Sequence, residues 1–102
     1  MMATPLDVRT ERAEDGRHAI VVVGELDLSN VAALADALAV AATAAEAGPL
    51  RIDLGRVEYL DSGAINVLFE HAASIELVVN PILLPVLTHS GLADVVRVTP
   101  AG

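Results

Sequence analysis

The sequence has no cysteine, no tryptophan and no lysine, and its aromatic content is one tyrosine and one phenylalanine in 102 residues. Without cysteine there are no disulfides, thiolate metal sites, thiol nucleophiles or cysteine redox switches. With 2% aromatics beside 54% hydrophobic residues, the core must be built from Ala, Val, Leu and Ile, through many small aliphatic contacts rather than large ring anchors. Positive charge is equally scarce. Six arginines stand against fourteen acidic residues, for a formal charge of −8, which repels a polyphosphate backbone and excludes nucleic acid as an expected partner. The lysine-free, alanine-rich and valine-rich usage fits a GC-rich, bacterial coding source. The N-terminus lacks the apolar run of a secretory signal, and the longest apolar-looking segment is Ala-rich and carries Asp36, so no membrane span is expected. A cytoplasmic protein follows. His18, His71 and His89 have no metal-ligand spacing among themselves, and neither a metal nor a cofactor is expected.

What is present is organised around residues 57–73, VEYLDSGAINVLFEHAA, where a strand pattern gives way to a helix pattern at Asp61, Ser62 and Gly63. Before this joint Leu50, Ile52 and Leu54 alternate with Arg51 and Asp53, the period of a strand. After it Ile65, Leu68, Phe69 and Ala72 recur at i, i+3, i+4 and i+7, the apolar face of a helix. Asp61 or Ser62 is placed to cap that helix by accepting a backbone N–H of its first turn.

In chain order, Leu6, Val8 and Thr10 predict a first strand at a sheet edge, and 11–16 a turn with Asp15-Gly16 at its tip. The apolar run from Ala19 to Val23 predicts a central strand covered on both faces. Ser29 or Asn30 then caps a helix whose inward stripe is Val31, Leu34, Leu38, Ala41 and Ala45, and Gly48-Pro49 ends it. Leu50–Leu54 forms the third strand, parallel to the second, and Gly55–Leu60 a connection to the second helix. Ile75–Val79 is a fourth strand. Asn80-Pro81 opens a third helix, where Pro85 is tolerated if regular structure starts only near Leu83, and Ser90-Gly91 closes it. Ile82, Leu83 and Leu84 read as core more readily than as a partner-facing patch. Val95–Val98 is the last strand.

The order β-β-α-β-α-β-α-β in a single domain spanning 1–102, with a core from about residue 6 to 98, predicts an α/β fold: a small mixed sheet of about five strands with helices packed on it. Functional loops gather at the carboxyl ends of such strands. Asp27 and the Asp61-Ser62 pair are therefore expected at the same end of the molecule.

The segments GELDLSNVAALADAL, RIDLGRVEYLDSGAINVLFEHA and NPILLPVLTHSGL resemble the STAS family, specifically bacterial anti-sigma factor antagonists, over nearly the whole chain from Leu6 to Val98. The resemblance implies a small sheet backed by helices and a protein that is not an enzyme. It implies binding to an anti-sigma factor or serine kinase, switched off by phosphorylation of a serine at the start of the second helix, and so a role in transcription regulation. Position by position, Asp27 and Asp61 match the family's flanking acidic residues and Ser62 the first of two small residues after the aspartate. The second, usually the phosphoacceptor, falls on Gly63. The partner-binding residues implied are Asp27, Ser29, Asp61, Ser62, Gly63, Asn66 and Glu70, with Ser62 as the available hydroxyl. A phosphate there would add about −1.5 to −2 charges. The helix dipole favours it by about 0.3 to 1 kcal/mol. Adjacent Asp61 opposes it by up to about 4 kcal/mol at ~4 Å and an effective dielectric of about 20. The modification would thus change mainly what a partner meets at the surface.

Three alternatives accompany this reading. Glycine at the usual acceptor position allows a STAS-like regulator or scaffold, permanently competent, that phosphorylation does not switch. A small hydrolase using Ser62 with a histidine and an aspartate lacks the Gly-x-Ser-x-Gly elbow. A nucleotide-binding domain lacks the Gly-rich phosphate loop with lysine. A homodimer is compatible with all of them.

Overall fold

The computed structural model describes residues 6–12, 18–27, 29–43 and 49–101. Its elements follow the expected order: β1 (Leu6–Arg12), β2 (His18–Leu26), α1 (Val31–Thr43), β3 (Leu50–Leu60), α2 (Ser62–Glu70), β4 (Ile75–Val79), α3 (Leu84–His89) and β5 (Arg97–Pro100). Short 3-10 turns occupy Ala72–Ser74, Pro81–Leu83 and Leu92–Asp94. The tip of the predicted hairpin at Asp15-Gly16, and Ala45 of the α1 stripe, lie outside the described residues.

The five strands form one sheet in the order β1-β2-β3-β4-β5, with β1 antiparallel to β2 and every later neighbour parallel. Each crossover from β2 onward moves one strand over in the same direction. Right-handed crossovers that always step the same way put all their helices on one face. A single core results, in which Ile20, Ile52, Leu54, Leu77 and Val79 of the sheet meet Leu34 and Leu38 of α1, Leu68 of α2 and Leu87 of α3. Among the described residues no polar or charged one is buried.

This one-sided packing corrects the expectation for β2. Ile20 and Val22 are buried beneath the helices, but Val21 and Val23, on the other face, are only half-buried. β2 is interior, yet the middle strand is β3. The apolar run of β2 reflects valines kept on a partly open face, not a second helical layer.

The second correction concerns residues 55–60, which continue β3 rather than connecting it to α2. The pairing of β2 with β3 shifts register twice, between Val21 and Val23 and between Gly24 and Glu25, so β3 uses one extra residue at each place. Each bulge delays the alternation by a residue. Buried positions in this half of the strand therefore recur every third residue, at Leu54, Val57 and Leu60, with Glu58 and Tyr59 both exposed between the last two. A period of three does not read as a strand. Gly24 takes the second shift at φ 123°, a conformation that a side chain would strain.

The helices follow their patterns closely. Leu34 and Leu38 of α1 are buried while Val31 and Ala41 are half-buried. In α2, Ala64, Ile65 and Leu68 are buried, and the helix ends at Glu70, leaving Ala72 in the 3-10 turn that follows. The tight turn Pro81–Leu83, capped by the Asn80 side chain onto Ile82 N, delays α3 until Leu84. Pro85 thus sits in the first turn, where its missing N–H costs little. Gly91, at φ 85°, closes this helix. Leu83 is buried as core, but Ile82 is 62% exposed. The last strand is Arg97–Pro100, two residues later than expected, because Leu92–Asp94 forms a further turn that buries Leu92.

If the bulged half of β3 carries core, Leu60→Ala will destabilise the domain by about 2–5 kcal/mol. Neighbouring Tyr59→Ala will stay within about 0.5 kcal/mol of the parent. Urea denaturation followed by circular dichroism measures both.

Candidate functional site

Because the β2 and β3 pairing runs on to Leu26 opposite Leu60, the next residues of the two strands, Asp27 and Asp61, emerge side by side. The Asp61 N–H donates to Leu26 O at 3.1 Å, extending the ladder by one bond before the chain turns into α2. Adjacent parallel strands lie about 4.8 Å apart, so the two aspartates share one corner of the molecule. Both are half-buried.

Asp61, not Ser62, is the cap of α2. It is extended, with φ −93° and ψ 179°, and its Oδ1 accepts from Ala64 N at 3.0 Å while its carbonyl accepts from Ile65 N at 3.1 Å. The carboxylate also sits at the amino-terminal, positive end of the helix dipole. This arrangement leaves Ser62 as the first helical residue with its side chain exposed.

Asp27 plays a matching part on its own loop. Its Oδ1 accepts from Ser29 N at 2.8 Å and from Ser29 Oγ at 2.6 Å, and its carbonyl accepts from Asn30 N and Val31 N. Asn30 locks the turn from the other side: its Oδ1 accepts from Asp27 N at 3.0 Å and its Nδ2 donates to Glu25 O at 2.8 Å. The sequence marked Asn30 only as a candidate helix cap. Its backward reach, which positions Asp27, is a use of the same amide that a capping pattern does not distinguish.

Ser62, Asn66 and Glu70 are all exposed and follow one another at i, i+4 and i+8, so they form a single line along the outside of α2. Gly63 is half-buried beside it. Glu58, exposed on the bulge just before the corner, adds a further negative charge. The seven residues expected at a site are therefore distributed as one corner with Asp27, Ser29, Asp61, Ser62 and Gly63, and one helix face descending from it with Asn66 and Glu70.

This arrangement is a poor hydrolase. His18 begins β2 and so lies at the opposite end of the sheet from Ser62, about 25 Å away over the length of the strand. His71 closes α2, with its Nδ1 3.0 Å from Val67 O, about 13 Å along the helix from Ser62. His89 is in the last turn of α3, just before Gly91, a glycine that faces Phe69 near that same far end of α2. No cluster of His, Asp and Glu among the described residues could hold a metal ion, and no described helix is long and apolar enough to cross a membrane.

The described structure is thus a one-sided mixed sheet with two half-buried aspartates at the carboxyl-end corner, and among the described residues no polar or charged one is buried. The sequence matches the family described as Mlab, STAS domain over residues 10–98, and the chain belongs to the STAS-domain family. Its structure is similar to that of an anti-sigma factor antagonist from Mycobacterium paratuberculosis, with a TM-score of 0.84 and 23% identity, covering 98% of this chain and 92% of that one. It is also similar to the anti-sigma factor antagonist SpoIIAA in its unphosphorylated form, with a TM-score of 0.69 and 17% identity, covering 94% of this chain and 89% of that one. At these identities the likeness is one of fold. No curated protein sequence matches the chain.

Replacing the cap separates its two contributions. Asp61→Ala will cost about 0.5–2 kcal/mol, whereas Asp61→Asn, which keeps the accepting oxygen, will retain most of that. Ser62→Ala will change stability by less than about 0.5 kcal/mol. Thermal melts of the three variants test the assignment of the cap to Asp61.

Proposed function

We propose that this STAS domain is an anti-sigma factor antagonist, a non-enzymatic binding module of the bacterial cytoplasm that engages an anti-sigma factor or a serine kinase and thereby frees a sigma factor. The observation that carries the reading is the convergence of Asp27 and Asp61 on adjacent strand ends, with exposed Ser62 at the head of the line formed by Asn66 and Glu70. Likeness to two antagonists supports it through the fold they share. Such a surface offers a partner carboxylates that are already held by backbone N–H donors, so little ordering is required on binding. It suits a basic partner surface, since complementary charge steers association and rejects acidic competitors.

Regulation at this site departs from the family pattern. The position after Ser62 is Gly63, which has no hydroxyl, and Ser62 is the one hydroxyl at the start of α2. Two versions of the same function follow: an antagonist phosphorylated at Ser62, or one that stays competent because the usual acceptor is missing. The half-buried glycine favours the second, since it also lets a partner backbone approach the helix start.

Asn66→Arg and Glu70→Arg, exposed changes that leave the caps and the core untouched, will weaken binding to the cognate anti-sigma factor by about tenfold or more each. Isothermal titration of purified components measures this, and unchanged affinity in both variants contradicts the site. Incubation with the cognate kinase and ATP, read by intact mass, decides the mode of control. An unchanged mass is expected for the permanently competent form, and one added phosphate on Ser62 removes it.

A further inference from the structure

The face of the sheet away from the helices carries an ordered arrangement of charge that the acidic corner does not use. Arg9, Arg51, Arg56 and Arg97 all point to this face, which therefore holds four of the six arginines of a chain with net charge −8. Along β1 the outward residues are Asp7, Arg9 and Glu11, and along β3 they are Arg56, Asp53 and Arg51 in the same rows. Between them β2 contributes Val23, Val21 and Ala19, a stripe without charge. Each row thus places opposite charges on the two sides of an apolar centre, and the sign alternates from row to row.

We infer that this open face is a self-association surface, on which a second copy of the chain packs about a two-fold axis running along β2. Rotation about that axis lays β1 of each copy over β3 of the other, in the same rows. Asp7 then meets Arg56, Arg9 meets Asp53 and Glu11 meets Arg51, and the two-fold repeats each pair, while Val21 and Val23 meet their own counterparts. Strands remain aligned, as packed sheets keep to within about 30° of one another at about 10 Å separation. An isologous interface requires this kind of self-complementarity, and a pattern in phase rather than antiphase would oppose like charges in every row. Within one chain Arg9 already pairs with Asp7 at the surface, an ion pair of a kind that exchanges partners at little cost, and the part-buried pair of Arg51 with Glu76 at 3.3 Å leaves the Arg51 side chain 38% exposed. One contact is unfavourable. Glu25, the next outward residue of β2, meets its own counterpart at the upper end.

Three strands by three rows cover about 300 Å² of sheet per copy, a small patch in the range of weak, concentration-dependent contacts. The two helical faces remain outermost, and because the axis runs along the strands both carboxyl-end corners point the same way. The dimer does not depend on what those corners bind.

The test is sedimentation equilibrium of the full chain at concentrations up to about 1 mM and physiological ionic strength, where repulsion between the two net charges is screened beyond about 8 Å. The expected result is a concentration-dependent approach to twice the 10.5 kDa chain mass. Val21→Asp, which places like charges on the axis, will leave only monomer. Arg51→Glu will weaken association about tenfold or more, Glu11→Arg added to it will restore the association, and Glu25→Gln will strengthen it. Circular dichroism establishes that each variant is folded. A parent that stays monomeric at the highest concentration overturns the proposal, as does a dimer that folded Val21→Asp and Arg51→Glu leave unchanged.

Discussion

The parallel pairing of β2 with β3 is the constraint on which the rest of the structure depends. It is the longest parallel contact in the sheet, running from Ala19 and Arg51 to Leu26 and Leu60, well past the point where β4 stops beside Leu54. Two bulges keep it going, returning Val57 and Leu60 to the core while the ladder absorbs extra residues. Its last bond, from Asp61 N to Leu26 O, fixes the start of α2 relative to the loop that begins α1. A chain that left β3 at Leu54 would have no reason to bring Asp27 and Asp61 together.

Capping and site geometry are the same set of atoms. Asp61 holds the first turn of α2, and Asp27 with Asn30 holds the turn into α1, so the carboxylates that form the acidic corner are also those that satisfy the backbone there. Two negative charges on neighbouring strand ends oppose each other, and the N–H groups around them offset that repulsion. The hydroxyl of Ser62 is left without a capping task, on the surface, at the head of the exposed line down α2. On the proposed reading of this corner as a recognition site, structure and recognition are coupled, and substitutions that leave the caps alone, on Asn66 and Glu70, separate them.

Much of this was legible in the sequence because it is written in local terms. The alternation in β1 and in the first half of β3, the stripes of α1 and α2, the Asn80-Pro81 start and the Gly91 stop all depend on neighbours within a turn or a pleat. The shared end for Asp27 and Asp61 followed from the rule that loops gather at the carboxyl ends of parallel strands. What was hidden depends on partners far along the chain. The bulged half of β3 repeats every third residue, so no window of the sequence reads it as a strand. The open face of the sheet is hidden for a related reason: the valines of β2 look buried until the topology, stepping always in one direction, puts every helix on the other side. Ile82 shows the same limit, since its exposure is set by elements distant in sequence, whereas Asn30 is a local case: its amide reaches back only to Asp27 and Glu25, a use that a capping pattern does not distinguish.

The central claim is that the corner of Asp27 and Asp61, with the outer line of α2, is the surface by which this STAS domain grips a protein partner. Amide chemical-shift mapping of the labelled chain during titration with its purified cognate anti-sigma factor tests this most directly. The account predicts that the perturbed amides cluster at residues 27–30 and 61–70, with β1 and the amino-terminal half of β2 unaffected. Perturbations confined to the open sheet face, or none at all at saturating partner, would contradict it.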